Sequence, residues 1–130
     1  MKKKILAIDD SQAIRFLLQT VFAKNYDVST ASDGYTAMDH LTKRNLPDLI
    51  IANPRLPDFK DWELIEYLTA SGLYGDIPIM VLSGFDKKET QTKCNEFSVD
   101  QFFLKPFNPL DLVKAVDNFT AVKNKAQPVS

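Results

Sequence analysis

The stretch Leu49-Ile-Ile-Ala-Asn-Pro-Arg-Leu-Pro-Asp-Phe59 is an apolar run that stops at a lone amide, Asn53, and passes into a loop punctuated by Pro54 and Pro57. Four apolar residues without polar alternation suit a short strand covered on both faces; a strand with one wet face would alternate instead. In a parallel α/β sheet the carboxyl end of a strand is where ligands and chemistry gather. The position of Asn53 is therefore a candidate site, and its meaning depends on what else converges there.

Short apolar or β-prone runs recur at Ile5 to Ile8, Val28 to Ala31, Ile79 to Leu82 and Phe102 to Leu104. Between them lie segments with helical spacing. Ile14, Leu17, Leu18, Val21 and Phe22 follow i, i+3, i+4, i+7, i+8, and Ser11 is placed to cap them. Met38 and Leu41 mark a second helix, Leu64, Ile65 and Leu68 a third, and Leu112, Val116 and Phe119 a fifth that opens at Pro109. The fourth, Lys87 to Phe97, offers only Cys94 and Phe97 for burial, so its docking is expected to be weak. Ser98 follows it where glycine would most easily adopt a left-handed helix end. Five β-then-α units predict a parallel sheet wrapped by helices on both faces with right-handed crossovers. One domain is expected over residues 1–122, with 123–130 as a flexible tail lacking periodicity.

Composition excludes several classes. The 130 residues are 45% hydrophobic and 25% charged, with net charge −1, the balance of an ordinary globular chain with no footprint for nucleic acid or anionic lipid. No apolar run approaches the roughly 20 residues of a spanning helix. The basic start Met1-Lys-Lys-Lys4 is followed by an apolar run too short for a secretory signal, so a cytoplasmic location is expected. One cysteine, Cys94, and one histidine, His40, leave no intramolecular disulfide framework and no single-chain Cys/His zinc site. Cys94 reads as a small core residue and His40 as part of a helix face.

At the carboxyl ends of the strands the chain places Asp9 and Asp10 after the first, Asn53 after the third, Ser83 and Gly84 after the fourth, and Lys105 and Pro106 after the fifth. Adjacent carboxylates after an apolar strand suit a hard cation with oxygen ligands, although a solvated loop with an N-capping acid explains the pair equally well. A hydroxyl at Ser83, an ammonium at Lys105 and a divalent ion on Asp10 would together form three sides of a phosphoryl pocket.

Over Lys3 to about Val122 the chain resembles the receiver domain of two-component response regulators. The resemblance is carried by Ile8-Asp9-Asp10-Ser11, Pro47-Asp-Leu-Ile-Ile-Ala52, Leu56-Pro57, Ile77-Pro-Ile-Met-Val-Leu-Ser83-Gly84 and Phe103-Leu-Lys105-Pro106-Phe107. It implies a flavodoxin-like sheet in the order 2-1-3-4-5. It also implies Mg²⁺ bound by Asp10, by Asp9 through water, by position 53 and by the backbone carbonyl of Arg55. Ser83 and Phe102 would be switch residues, Lys105 would neutralise phosphate oxygens, and the Lys105-Pro106 bond would be cis.

The family's phospho-accepting aspartate aligns with Asn53. An aspartate can attack phosphorus to form an acyl phosphate; an amide, uncharged and with its nitrogen lone pair delocalised, cannot. Two carboxylates remain where the family has three, so Mg²⁺ binding is expected to be weakened, although an amide oxygen is still a legitimate ligand. Lys60 and Asp61 replace the usual Asp-Gly or Gly-Gly, Ser98 replaces glycine, and Phe102 stands for the switch aromatic without a hydroxyl, favouring a buried rotamer. Three readings of Asn53 stay open: a natural pseudo-receiver that acts through protein contacts, an ordinary aspartyl receiver in which Asp was deliberately replaced by Asn to lock the unphosphorylated state, and a sheet protein that has lost the function. Drift at Lys60, Asp61 and Ser98 favours the first; retention of Asp9, Asp10, Ser83 and Lys105 favours the second.

A small Mg²⁺-dependent phosphohydrolase on a similar sheet is the rival class. The chain has no glycine-rich phosphate loop, and Asp9 and Asp10 are neighbours and not an Asp-x-Asp pair, so no catalytic residue is assigned. With no effector domain in view, docking is the expected mode of action. By the resemblance the partner is a sensor kinase, a phosphotransfer protein or a downstream target, bound on the face of the fourth helix, fifth strand and fifth helix. That face includes Lys87, Lys88, Lys93, Phe102 and the outward side of Asp111 to Asn118. Neither nucleic acid nor membrane is an expected partner, and the oligomeric state is not legible.

Overall fold

The three central runs form strands because both of their alternating sets of side chains find a helical layer to cover them, while the two edge strands are only partly covered. The computed structural model describes residues 2–43 and 45–125, with side chains as far as residue 121. In chain order the elements are β1 (Lys3–Ile8), α1 (Gln12–Phe22), β2 (Tyr26–Ala31), α2 (Gly34–Thr42), β3 (Leu49–Ala52), α3 (Glu63–Ala70), β4 (Ile79–Ser83), α4 (Lys87–Glu96), β5 (Gln101–Leu104) and α5 (Pro109–Lys125). The strands make one parallel sheet in the order β2-β1-β3-β4-β5, the flavodoxin-like arrangement. α5 runs three residues past the expected end of the domain, and residues 126–130 lie outside those described.

Side-chain alternation divides the core between two faces. Ile5, Ala7, Leu49, Ile51, Met80 and Leu82 pack with Leu18 and Phe22 of α1 and Leu112 and Val116 of α5. Leu6, Ile8, Ile50, Ala52 and Val81 pack with Leu41 of α2, Leu64, Ile65 and Leu68 of α3, and Cys94 of α4. Each fully buried aliphatic side chain contributes about 1.5–3 kcal/mol. Among the described residues no helix is long and apolar enough to cross a membrane.

The helix ends follow local chemistry. The Ser11 hydroxyl accepts the Ile14 N–H at 3.2 Å, the expected cap of α1. Asp33 caps α2 through the Thr36 N–H at 2.7 Å, a bond that holds its carboxyl below the usual range. Capping by Asp33 therefore stabilises the fold above the ordinary carboxylate pKa and is lost as pH falls through the lowered one. His40 lies half-buried in the last turn of α2. Thr90 and Cys94 are the buried residues of α4, while Phe97, expected to be buried, packs only partly against the core. Cys94 is a core residue, and burial pushes its thiol pKa up to about 11. Ser98 does take the left-handed conformation, with φ of 59°.

The loop before α3 differs from expectation in its detail. Lys60 and Asp61 stand where glycine was expected, yet the left-handed residue is the next one, Trp62, with φ of 68°. That conformation costs a bulky residue roughly 1–2 kcal/mol. Burial of the indole, 3% exposed and stacked against Phe85 at 6.1 Å, opposes the cost.

Asp58, from the same loop, ties it to α2: its two carboxylate oxygens accept the Gly34 and Tyr35 N–H groups at 2.9 and 2.8 Å. These are donors that a helix start leaves unpaired. Asp58→Ala is expected to lower stability by about 1–2 kcal/mol in urea unfolding, while Asp58→Asn retains part of it. Equal midpoints for Asp58→Ala and the parent would show that the tie carries no energy.

Candidate functional site

Strand register delivers the site. Ile8 pairs with Ala52 and Ser83 with Leu104, so the residues that follow leave the sheet on one edge. The ladder continues one step beyond the strands: Asp9 N–H donates to the Ala31 carbonyl at 3.0 Å, Asn53 N–H to Ile8 at 2.8 Å and Lys105 N–H to Ser83 at 2.8 Å. The backbones of Asp9, Asn53 and Lys105 are thereby fixed where their side chains converge.

Asp9 is 1% exposed, a burial that a carboxylate tolerates only when paired. Its Oδ2 lies 2.7 Å from Lys105 Nζ, and its Oδ1 accepts the Ser11 N–H at 2.9 Å. The Arg15 guanidinium donates to the Asp9 carbonyl at 2.8 Å, an interaction the sequence reading did not anticipate. The exposed Asp10 turns the other way, its Oδ1 accepting from Asn53 Nδ2 at 3.1 Å. Asn53 Oδ1 in turn accepts the Arg55 N–H at 3.3 Å. The two bonds fix the amide's orientation, since the reverse one would set oxygen against carboxylate and N–H against N–H.

Ser83 is fully buried and faces α4. Its Oγ accepts the Phe85 N–H at 3.0 Å and lies 2.8 Å from Thr90 Oγ1. The mouth of the site is a pocket of about 130 Å³ lined by Asn53, Arg55, Gly84, Phe85 and Lys105. The Arg55 guanidinium covers one side, 5.0 Å from the centre of the Phe85 ring and 3.4 Å from Asp61. The Lys105-Pro106 bond is cis. Phe102 is half-buried against the cluster containing Cys94 and Val99.

Asp9, Asp10, Asn53 and Lys105 are thus brought together, while Ser83 sits behind them. Thr90, Phe85 and the Arg55 side chain were missed. A threonine four residues before the one buried cysteine of a polar helix could have revealed Thr90, because that spacing shares one helix face. Nothing local marked Phe85 or the Arg55 side chain.

The donor set fits a hard divalent cation in kind, being two carboxylates, an amide oxygen and the Arg55 carbonyl, but it is one carboxylate short. Among the described residues no three His, Cys, Asp or Glu groups gather as a metal site. The amide also points its N–H at Asp10, so that one oxygen of that carboxylate already has a donor from the protein.

Similarities to known proteins agree with this geometry. The profile of the response regulator receiver domain matches residues 5–117. The Bacillus subtilis alkaline phosphatase synthesis transcriptional regulatory protein PhoP is 35% identical over 89% of this chain and 49% of its own length. Response regulator PleD of Caulobacter vibrioides is 29% identical over 95% of this chain and 27% of its own. The chain spans about half the length, or less, of these curated relatives. Chemotaxis response regulator CheY4 of Vibrio cholerae superposes with a TM-score of 0.80 at 27% identity, covering 91% of this chain and 98% of that one. The phosphorylated cyanobacterial phytochrome response regulator RcpA superposes at 0.77 with 25% identity, covering 92% and 91%.

Asn53→Asp replaces the Asp10-to-amide hydrogen bond by two facing carboxylates. In metal-free buffer this variant should lose about 1–3 kcal/mol in urea unfolding, and added Mg²⁺ should return much of the loss. The parent's midpoint should move far less with Mg²⁺. A parent that gains as much as the variant from the ion would contradict the self-satisfied site.

Proposed function

The chain belongs to the response regulator receiver domain family of two-component signalling, and from that membership we propose that it signals by docking, as a pseudo-receiver that does not accept a phosphoryl group at Asn53. One observation carries the reading: the residue at the centre of the site is an amide that donates to Asp10. Attack on phosphorus needs an oxygen with a free, charged lone pair. Here the amide oxygen accepts the Arg55 N–H and carries no charge.

The remaining groups would act on any anion that entered. Lys105, held by Asp9, would supply the fixed positive charge, with the Arg55 guanidinium at the opposite side of the pocket. Ser83 would have to exchange its bond with Thr90 before its hydroxyl could turn outward. Mg²⁺, when held by Asp10, Asn53 Oδ1 and the Arg55 carbonyl, with Asp9 acting through water, would polarise the incoming phosphoryl oxygens. Phe102, half-buried and without a hydroxyl, supports a β5 surface biased to one state. On this reading a sensor kinase, phosphotransfer protein or downstream target binds the face of α4, β5 and α5, which carries Lys87, Lys88 and Lys93.

A second reading, an aspartyl receiver with its acceptor exchanged for asparagine, is favoured by the intact Asp9–Lys105 pair and by Ser83. Intact mass after incubation with acetyl phosphate and Mg²⁺, on the parent and on Asn53→Asp, tests the chemistry. We expect no adduct on the parent and one phosphoryl group on the variant. An adduct on the parent overturns the pseudo-receiver reading. Lack of one on the variant would mean that the pocket has lost more than its nucleophile.

A further inference from the structure

We infer that the groove between α2 and α3 is a docking site for a basic amphipathic segment of a partner protein, an inference that rests on the reading of this chain as a docking module. The groove, about 480 Å³, is lined by Met38 of α2, Asp58 and Phe59 of the intervening loop, and Glu63, Glu66 and Tyr67 of α3. Its floor is apolar, three carboxylates rim it, and no lysine or arginine lines it. Glu66 has no cation within ion-pair distance among the described residues.

Protein docking draws its energy from a few desolvated anchors, aromatic ones above all. One such side chain stands exposed in the lining of this groove: Tyr67 is 52% exposed. Among the described residues, the face of α4, β5 and α5 carries one large exposed hydrophobic side chain, Leu110 of α5 at 70%, and none on α4 or β5. The groove is also stiff. Asp58 clamps the Gly34 and Tyr35 N–H groups, and the Phe59 ring lies so near Gly34 that a Cβ there would meet it at 2.9 Å. Glu63 accepts the Lys60 N–H at 2.9 Å. A surface already held in place loses little ordering entropy on binding.

The chemistry selects the occupant. An aliphatic side chain suits Met38 and Phe59, a cation suits the face of Tyr67, and further cations suit Glu63 and Glu66. The cationic helix of a second copy, α4, has exposed lysines but no exposed apolar anchor to insert.

The test uses the full chain and a synthetic amphipathic Lys/Leu helical peptide, with a Glu/Leu peptide of the same pattern as control, followed by backbone amide chemical shifts. The Lys/Leu peptide should shift resonances of α2, the Asp58–Phe59 loop and α3. Tyr67→Ala should weaken it about tenfold. Glu63→Gln with Glu66→Gln, which keeps the acceptor for the Lys60 N–H, should weaken it severalfold, and less so at high salt. Equal binding by the control peptide, shifts centred on α4 and β5, or affinity unchanged in both variants would overturn the inference. So would a dimer abolished by Tyr67→Ala, which would give the groove to a second copy. These variants leave position 53 intact, so the acetyl phosphate result separates failure of the groove from failure of the pseudo-receiver reading.

Discussion

The Lys105 ammonium lies 2.7 Å from an oxygen of Asp9, a carboxylate almost wholly removed from water at the end of the first strand. The carboxylate is not tolerable there alone, because an unpaired buried charge costs several kcal/mol. The pair joins the ends of β1 and β5, which are separated in the sheet by β3 and β4. It thus closes the carboxyl edge into one concave site. The Ser11 N–H and the Arg15 guanidinium complete the shell around Asp9, so the start of α1 is positioned by the same residue that anchors the site.

Within that frame the two remaining buried polar side chains at the strand ends, Asn53 and Ser83, are hydrogen-bonded to neighbours. Asn53 bridges Asp10 and the Arg55 backbone, and Ser83 is held between Phe85 and Thr90. A carboxylate at position 53 would have set like charges face to face and called for a cation. The amide removes that demand and the nucleophile together. A site closed in this way suits a protein that presents a fixed surface, and the rigid union of Asp58 and Phe59 with the start of α2 is one such surface.

The strand runs were legible because a strand buried on both faces needs apolar residues at every position, as in Leu49 to Ala52. Ser11 and Pro109 marked helix starts by local chemistry that does not depend on the rest of the fold. Asp9, Asp10, Asn53 and Lys105 could be placed because residues just beyond parallel strands share an edge. Their hydrogen-bond partners could not be read in the same way. That Ser83 turns inward depends on Thr90, whose burial is set by how α4 lies on the sheet. The left-handed turn fell to Trp62 because a stacking site on Phe85 and Phe97 offsets the strain, and such a site exists only once distant segments meet.

By itself the sequence determined the strands, their helical layers, the place of Asp9, Asp10, Asn53 and Lys105 at one edge of the sheet, and the absence of a carboxylate at position 53. These follow from periodicity, capping and residue chemistry, which act over a few neighbours along the chain. The tertiary structure alone decided that the amide points its N–H at Asp10, that Arg55 leans over Phe85, and that Tyr67 and Phe59 form one groove with Met38. Those are contacts between residues far apart in sequence or on different elements, fixed by packing and by the need of each buried polar group for a partner, and no local pattern encodes which partner is found.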